Sequence, residues 1–159
     1  MKTLQQRYEG RGLGHDLIIQ TSVRLMVPFI QLFGLYVIVH GHYSPGGGFQ
    51  GGVLLGASFI LLALAFDIKM SMRHFSERIN LVLGNTGALL FVGTGVLCAL
   101  VGGLFLDYSA LTALFPMDAI EWRSFGIFIV EVGVGLAVAS IMLSLYWDLS
   151  SNGDLEEGL

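Results

Sequence analysis

Apolar residues come in four long runs along the chain, separated by short polar clusters. The runs cover roughly residues 17–39, 50–66, 81–106 and 124–147. A helix needs about 20 apolar residues to cross a bilayer's hydrocarbon core, and each run meets or approaches that length. Strands cannot span lipid as open sheets, because their backbone groups would go unpaired. A barrel would need short alternating segments, and these runs do not alternate. The pattern therefore predicts an all-α, polytopic membrane protein with four transmembrane helices. Pro28 removes a backbone donor inside the first helix and is expected to bend it.

Composition agrees with this reading. Hydrophobic types make up 54% of the 159 residues and charged types only 13%, about half the share of a soluble domain. Mean hydropathy is +0.74. A signal peptide is not expected, because the first apolar run is far longer than an h-region and ends without a small-residue cleavage site. Cys98 is the sole cysteine, so no intrachain disulfide can form. The net charge of −4, without a basic stripe, gives nucleic-acid binding no electrostatic support.

The basic residues set a direction. Lys2, Arg7, Arg11 and Arg24 flank the start of the first helix, and Lys69, Arg73 and Arg78 lie between the second and third. Only Arg123 falls on the other side, so seven of eight basic residues share one face. The positive-inside rule makes that face cytoplasmic. Both termini are then inside, and the connections at residues 40–50 and 107–123 face out. Residues 1–14 and the acidic tail at 150–159 read as flexible. Residues 68–79 form a polar connection that suits either a short interfacial helix or a solvated loop.

Small residues recur every four positions: Gly52 and Gly56; Gly84 and Ala88; Gly95, Ala99 and Gly103; Gly135 and Ala139. Such spacing lets membrane helices approach closely, within one chain or between chains. Four helices leave little interior for a transport pathway, and transporters usually carry repeated halves around a central site. The chain is therefore expected to work in an assembly.

The outward connection between the first two runs reads His40-Gly41-His42-Tyr43-Ser44-Pro45-Gly46-Gly47-Gly48-Phe49-Gln50-Gly51-Gly52. Six of its thirteen residues are glycine, more than a plain hairpin needs. Pro45 fixes the local geometry, and the segment is expected to pack tightly at membrane depth, where irregular backbone is tolerated only inside protein or beside water. A phosphate loop is set aside: no Lys-Ser or Lys-Thr follows the glycines and no strand precedes them.

This string, together with Arg24 and Pro28 on the preceding helix, resembles the B subunit of Mrp-type (Mnh) multisubunit Na⁺/H⁺ antiporters. The same module occurs in related membrane-bound hydrogenase and sulfur-reducing complexes. The resemblance is densest over residues 21–66 and extends more loosely to Trp147. It implies a non-autonomous subunit of the cell membrane, not an enzyme, whose partners are the other subunits and surrounding lipid and whose assembly moves Na⁺ and H⁺. It implies no cofactor. A purely structural subunit of a respiratory membrane complex, such as a membrane-bound hydrogenase, is the alternative, and an independent small channel a remoter one.

Physical chemistry ranks the ionisable residues. Glu131 is the one charge within the fourth run, seven residues from its predicted start and roughly 10 Å deep. An acid there is costly and is a functional candidate by default. His40 and His42 can relay protons near neutral pH, or simply bond loop carbonyls. A pocket shared by Glu131 and His40 is expected if the fourth helix packs on the first. Arg24 is placed either to snorkel toward lipid phosphate or to pair with an acid of a partner subunit. Gln31 is an interhelical hydrogen bonder, and Asp107, Asp118 and Glu121 form an acidic outer rim. Two histidines spaced i, i+2 without a nearby acid pair or cysteine make no metal site.

Overall fold

The computed structural model describes residues 17–41, 46–66, 71–72, 75–113 and 118–150. It contains four helices long and apolar enough to cross a membrane: α1 (Leu17–Val39), α2 (Gly48–Phe66), α3 (Glu77–Leu100) and α4 (Ala119–Ser150). A short 3-10 helix, Tyr108–Ala113, lies between α3 and α4. No strand occurs among the described residues. Residues 1–14, the acidic tail from Ser151 onward and most of the connection at residues 67–74 lie outside the described residues, as do His42 and Pro45.

Two helices, α3 and α4, differ in their limits from the apolar pattern. The third run predicts a helix over residues 81–106, but α3 spans Glu77–Leu100. It starts early because Ser76 caps it, its hydroxyl accepting from the Ile79 N–H at 3.4 Å, and Glu77 places an acid in the first turn. It stops early because Gly102 adopts φ +98°. The Gly102 N–H then bonds the Ala99 carbonyl and the Gly103 N–H the Cys98 carbonyl, the paired bonds of a Schellman ending. Hydropathy cannot see this stop, since the residues beyond it are equally apolar. α4 begins at Ala119 and has 32 residues, roughly 48 Å of helix.

Glycine contacts fix the order of the helices. Gly34 on α1 meets Gly51 on α2. Gly48, Gly52 and Gly56 on α2 face Glu131, Gly135 and Ala139 on α4 in the same chain direction. Gly84 and Gly87 on α3 face Ser140 and Ala137 on α4 in opposite directions. The helices therefore stand in the spatial order α1–α2–α4–α3, with α4 central and parallel to α2. The four-residue repeats on α2 and α4 are thus spent on each other. On α3 the packed stripe is Gly84 and Gly87; Ala88 and Ala99 are exposed.

The end where α1 begins and α4 finishes is closed by two apolar clusters. Val23, Val27 and Ala65 join α1 to α2. Met72, Leu143 and Trp147 gather with Phe59 and Phe75 around α4. Between α3 and α4, Asn80 is 1% exposed. Its amide donates to the Ser140 carbonyl at 3.0 Å and to the Ser144 hydroxyl at 2.8 Å, and the Ser140 hydroxyl donates back to the Asn80 carbonyl at 2.5 Å. A satisfied amide in an apolar seam fixes register as well as contact.

Candidate functional site

The parallel register of α2 and α4 places Gly48 against Glu131. A Cβ at Gly48 would lie 2.0 Å from the Glu131 carbonyl oxygen, so the two backbones touch where α2 begins. The Glu131 side chain turns into the bend joining α1 to α2. A Cβ at Gly41 would lie 2.5 Å from both carboxyl oxygens, and one at Gly47 would lie 2.8 Å from Oε1. Oε2 is shut off from solvent. The acid thus packs against a cradle of Gly41 and Gly47, and two features far apart in the sequence form one site.

The cradle is recessed. Glu131 lies eight residues from Arg123 and seventeen from Asp148, or roughly 12 Å and 25 Å along α4. The residues 124–130 between Arg123 and the acid are apolar apart from Ser124. α3 also runs on beyond this level, from Gly87 opposite Gly133 to Leu100. Gly41 and Gly47, beside the acid, therefore lie below the far end of the α3–α4 hairpin. Irregular backbone at that depth needs protein or water around it, and α4 supplies the protein on one side.

Two helix ends meet the acid. α2 starts beside it, and the free N–H groups of a first turn favour negative charge. α1 ends beside it, and the last carbonyls of a helix favour a cation. His40 closes α1: its backbone N–H and its ring Nδ1 both donate to the Tyr36 carbonyl, at 3.0 and 3.2 Å. The ring stacks on Tyr36 at 4.2 Å between centroids. His40 is exposed, while its neighbour Gly41 contacts the acid. α4 reaches the end of α1 through Ile38, whose methyl group would lie 2.8 Å from a Cβ on Gly135.

The other expected residues divide. Gly48, Gly51 and Gly52 are buried and pack; Gly46 and Gly47 are half-buried in the bend. Phe49 and Gln50, expected to pack with them, are exposed, because successive helix positions turn them away from α1 and α4. Arg24 is exposed and its guanidinium lies over the Phe66 ring, 4.8 Å from the centroid. Asp107 accepts from the Ser109 N–H and hydroxyl at 3.2 and 2.5 Å, which nucleates the 3-10 turn. Tyr108, the first residue of that turn, packs on Gly126, and desolvation pushes its phenol up from the ordinary value. No group of three or more metal-ligating side chains occurs among the described residues. The Asn80–Ser140–Ser144 network is not apparent from the sequence. Its only signal there is one amide just ahead of the third run and two hydroxyls within the fourth.

Residues 18–144 match the pattern of a domain related to the MnhB subunit of Na⁺/H⁺ antiporter. The B subunit of the Na⁺/H⁺ antiporter of Bacillus subtilis (strain 168) is 35% identical over 132 residues, covering 82% of this chain and 90% of that one. Proteins named as mnhB2 antiporter subunits are similar too. That of Staphylococcus haemolyticus (strain JCSC1435) is 29% identical over 86% of this chain and 95% of its own. That of Staphylococcus aureus (strain Newman) is 32% identical over 82% and 94%.

Proposed function

The chain belongs to the family related to the MnhB subunit of Na⁺/H⁺ antiporter, and from that premise we propose that Glu131 in its glycine cradle is an exchangeable carboxyl on the ion path of the assembled complex. The chain is a multi-pass cell-membrane subunit of a multisubunit antiporter. Its relatives are named for antiporters, which favours that assembly over a hydrogenase-type one. The other subunits are its partners.

The observation that carries the reading is the carboxyl of Glu131 packed against Gly41 and Gly47. Desolvation penalises the charged acid, so a proton or a cation at this position lowers the cost. The adjoining start of α2 stabilises the bare carboxylate and the end of α1 attracts the ion that replaces the proton. These opposed influences leave the group able to exchange. Na⁺ and H⁺ are the exchanged ions, and they reach the acid from the recessed bend. The lysine and arginine distribution puts that bend on the outer side, with both termini in the cytoplasm. The exposure of His40 next to Gly41 supports a proton relay between bulk water and the cradle, and His42 is a second candidate by its place in the sequence.

Carbodiimide modification of the assembled antiporter tests the reading, since such reagents attack protonated carboxyls in apolar surroundings. Glu131 should be the modified residue of this subunit, exchange should fall in step with its modification, and Na⁺ should slow the reaction. Full exchange by a complex modified at Glu131 would refute the assignment.

A further inference from the structure

α3 packs on α4 through Asn80, Gly84 and Gly87. Its opposite face carries Asn85, Thr86, Leu89 and Gly93, and the first three are exposed. Asn85 stands eight residues along α3 from Glu77, roughly 12 Å into the helix. Its side chain is too short to reach the headgroups from there. A carboxamide facing hydrocarbon is costly, and polar groups of membrane helices turn toward other protein. One and two turns further along the same face, Leu89 is 70% exposed, and a Cβ added to Gly93 would meet nothing within 4 Å. All the packed glycines of α2 and α4 named above meet atoms of this chain; Gly93 opens a notch in a surface that its own chain leaves uncovered.

We infer that this face of α3 seats a transmembrane helix of another subunit of the antiporter. That helix crosses at the Gly93 notch and bears a hydrogen-bonding side chain opposite Asn85. The inference rests on the multisubunit reading above and adds the surface by which the chain is held. An amide and a small residue on one face are what membrane helices use to associate, because lipid offers no hydrophobic drive. Lipid alone would fill the notch but leave the amide unmatched. A second copy of this chain would also match the amide, Asn85 to Asn85, but the relatives' names place the family among differing subunits.

A photo-cross-linking residue at Leu89, in the purified and exchanging complex, tests this. It should form an adduct with one other antiporter subunit. Gly93→Leu should reduce that adduct roughly tenfold while the chain stays in the membrane at its normal level, since the notch has room for the side chain. Asn85→Leu keeps the notch and should weaken the adduct severalfold. Adducts with lipid alone, adducts between two copies of this chain, or an adduct insensitive to both substitutions would overturn the inference. Any of these in a complex that exchanges normally would leave the reading of Glu131 untouched.

Discussion

Gly52 on α2 and Gly135 on α4 face each other so closely that a Cβ on Gly52 would lie 2.6 Å from the Gly135 carbonyl oxygen. The obstacle is backbone and cannot rotate away. Gly52→Val should therefore separate α2 from α4 and cost about 1–3 kcal/mol, the usual range for overpacking. Gly93→Ala, where nothing lies within 4 Å, should cost the fold nothing. Thermal unfolding midpoints in detergent compare the two; equal losses would contradict the packing described here.

The cradle makes a finer prediction about coupling. At Gly41 the added methyl meets the Glu131 carboxyl group, whereas at Gly48 it meets the Glu131 backbone. Glu131→Ala should therefore relieve part of the damage done by Gly41→Ala and none of that done by Gly48→Ala. A double-mutant cycle on membrane-inserted protein level should give a coupling of about 0.5–3 kcal/mol for the first pair. Strict additivity for both pairs would contradict the side-chain placement of Glu131.

Asn80→Leu removes the amide that bonds Ser140 and Ser144. The serines can turn back to carbonyls of their own helix, so the loss should be moderate, about 0.6–2 kcal/mol. Asn80→Asp should cost more, because it sets an acid beside the Ser140 carbonyl. The order of the two unfolding midpoints is the check.

Orientation is testable without the site. A fluorescent protein that matures only in the cytoplasm should glow when fused to either end of the chain, and alkaline phosphatase, active only outside, should be silent there. Activity of the phosphatase at either end would reverse the assigned direction.

The four helices are legible in the sequence because an uninterrupted apolar run has few alternatives in lipid. Their ends are less so. The stop at Gly102 and the cap at Ser76 act through single residues that hydropathy averages away. The glycines of α2 are recognisable as a packing face, but their partner is not, since small residues pack equally well within a chain and between chains. The likeness of spacing between Gly52–Gly56 and Gly135–Ala139 acquires meaning only through the parallel register. Glu131 is visible as a misplaced acid. Its meeting with Gly41 depends on α4 beginning at Ala119 and passing the α1–α2 bend, a tertiary relation that no local pattern encodes. Phe49 and Gln50 adjoin the packed glycines in sequence, yet the turn of the helix points them outward.

Na⁺-driven proton movement in vesicles holding the assembled complex measures whether the Glu131 carboxyl takes part in exchange. Glu131→Gln keeps the size of the side chain and its hydrogen-bonding capacity but cannot give up a proton. At equal complex content it should lower the exchange rate at least about tenfold, toward the 10²–10⁴-fold worth of a positioned proton-transfer group, while Glu131→Asp retains part of it. Exchange at the full rate by a properly assembled Glu131→Gln complex would contradict the account and leave the acid a packing element of the cradle.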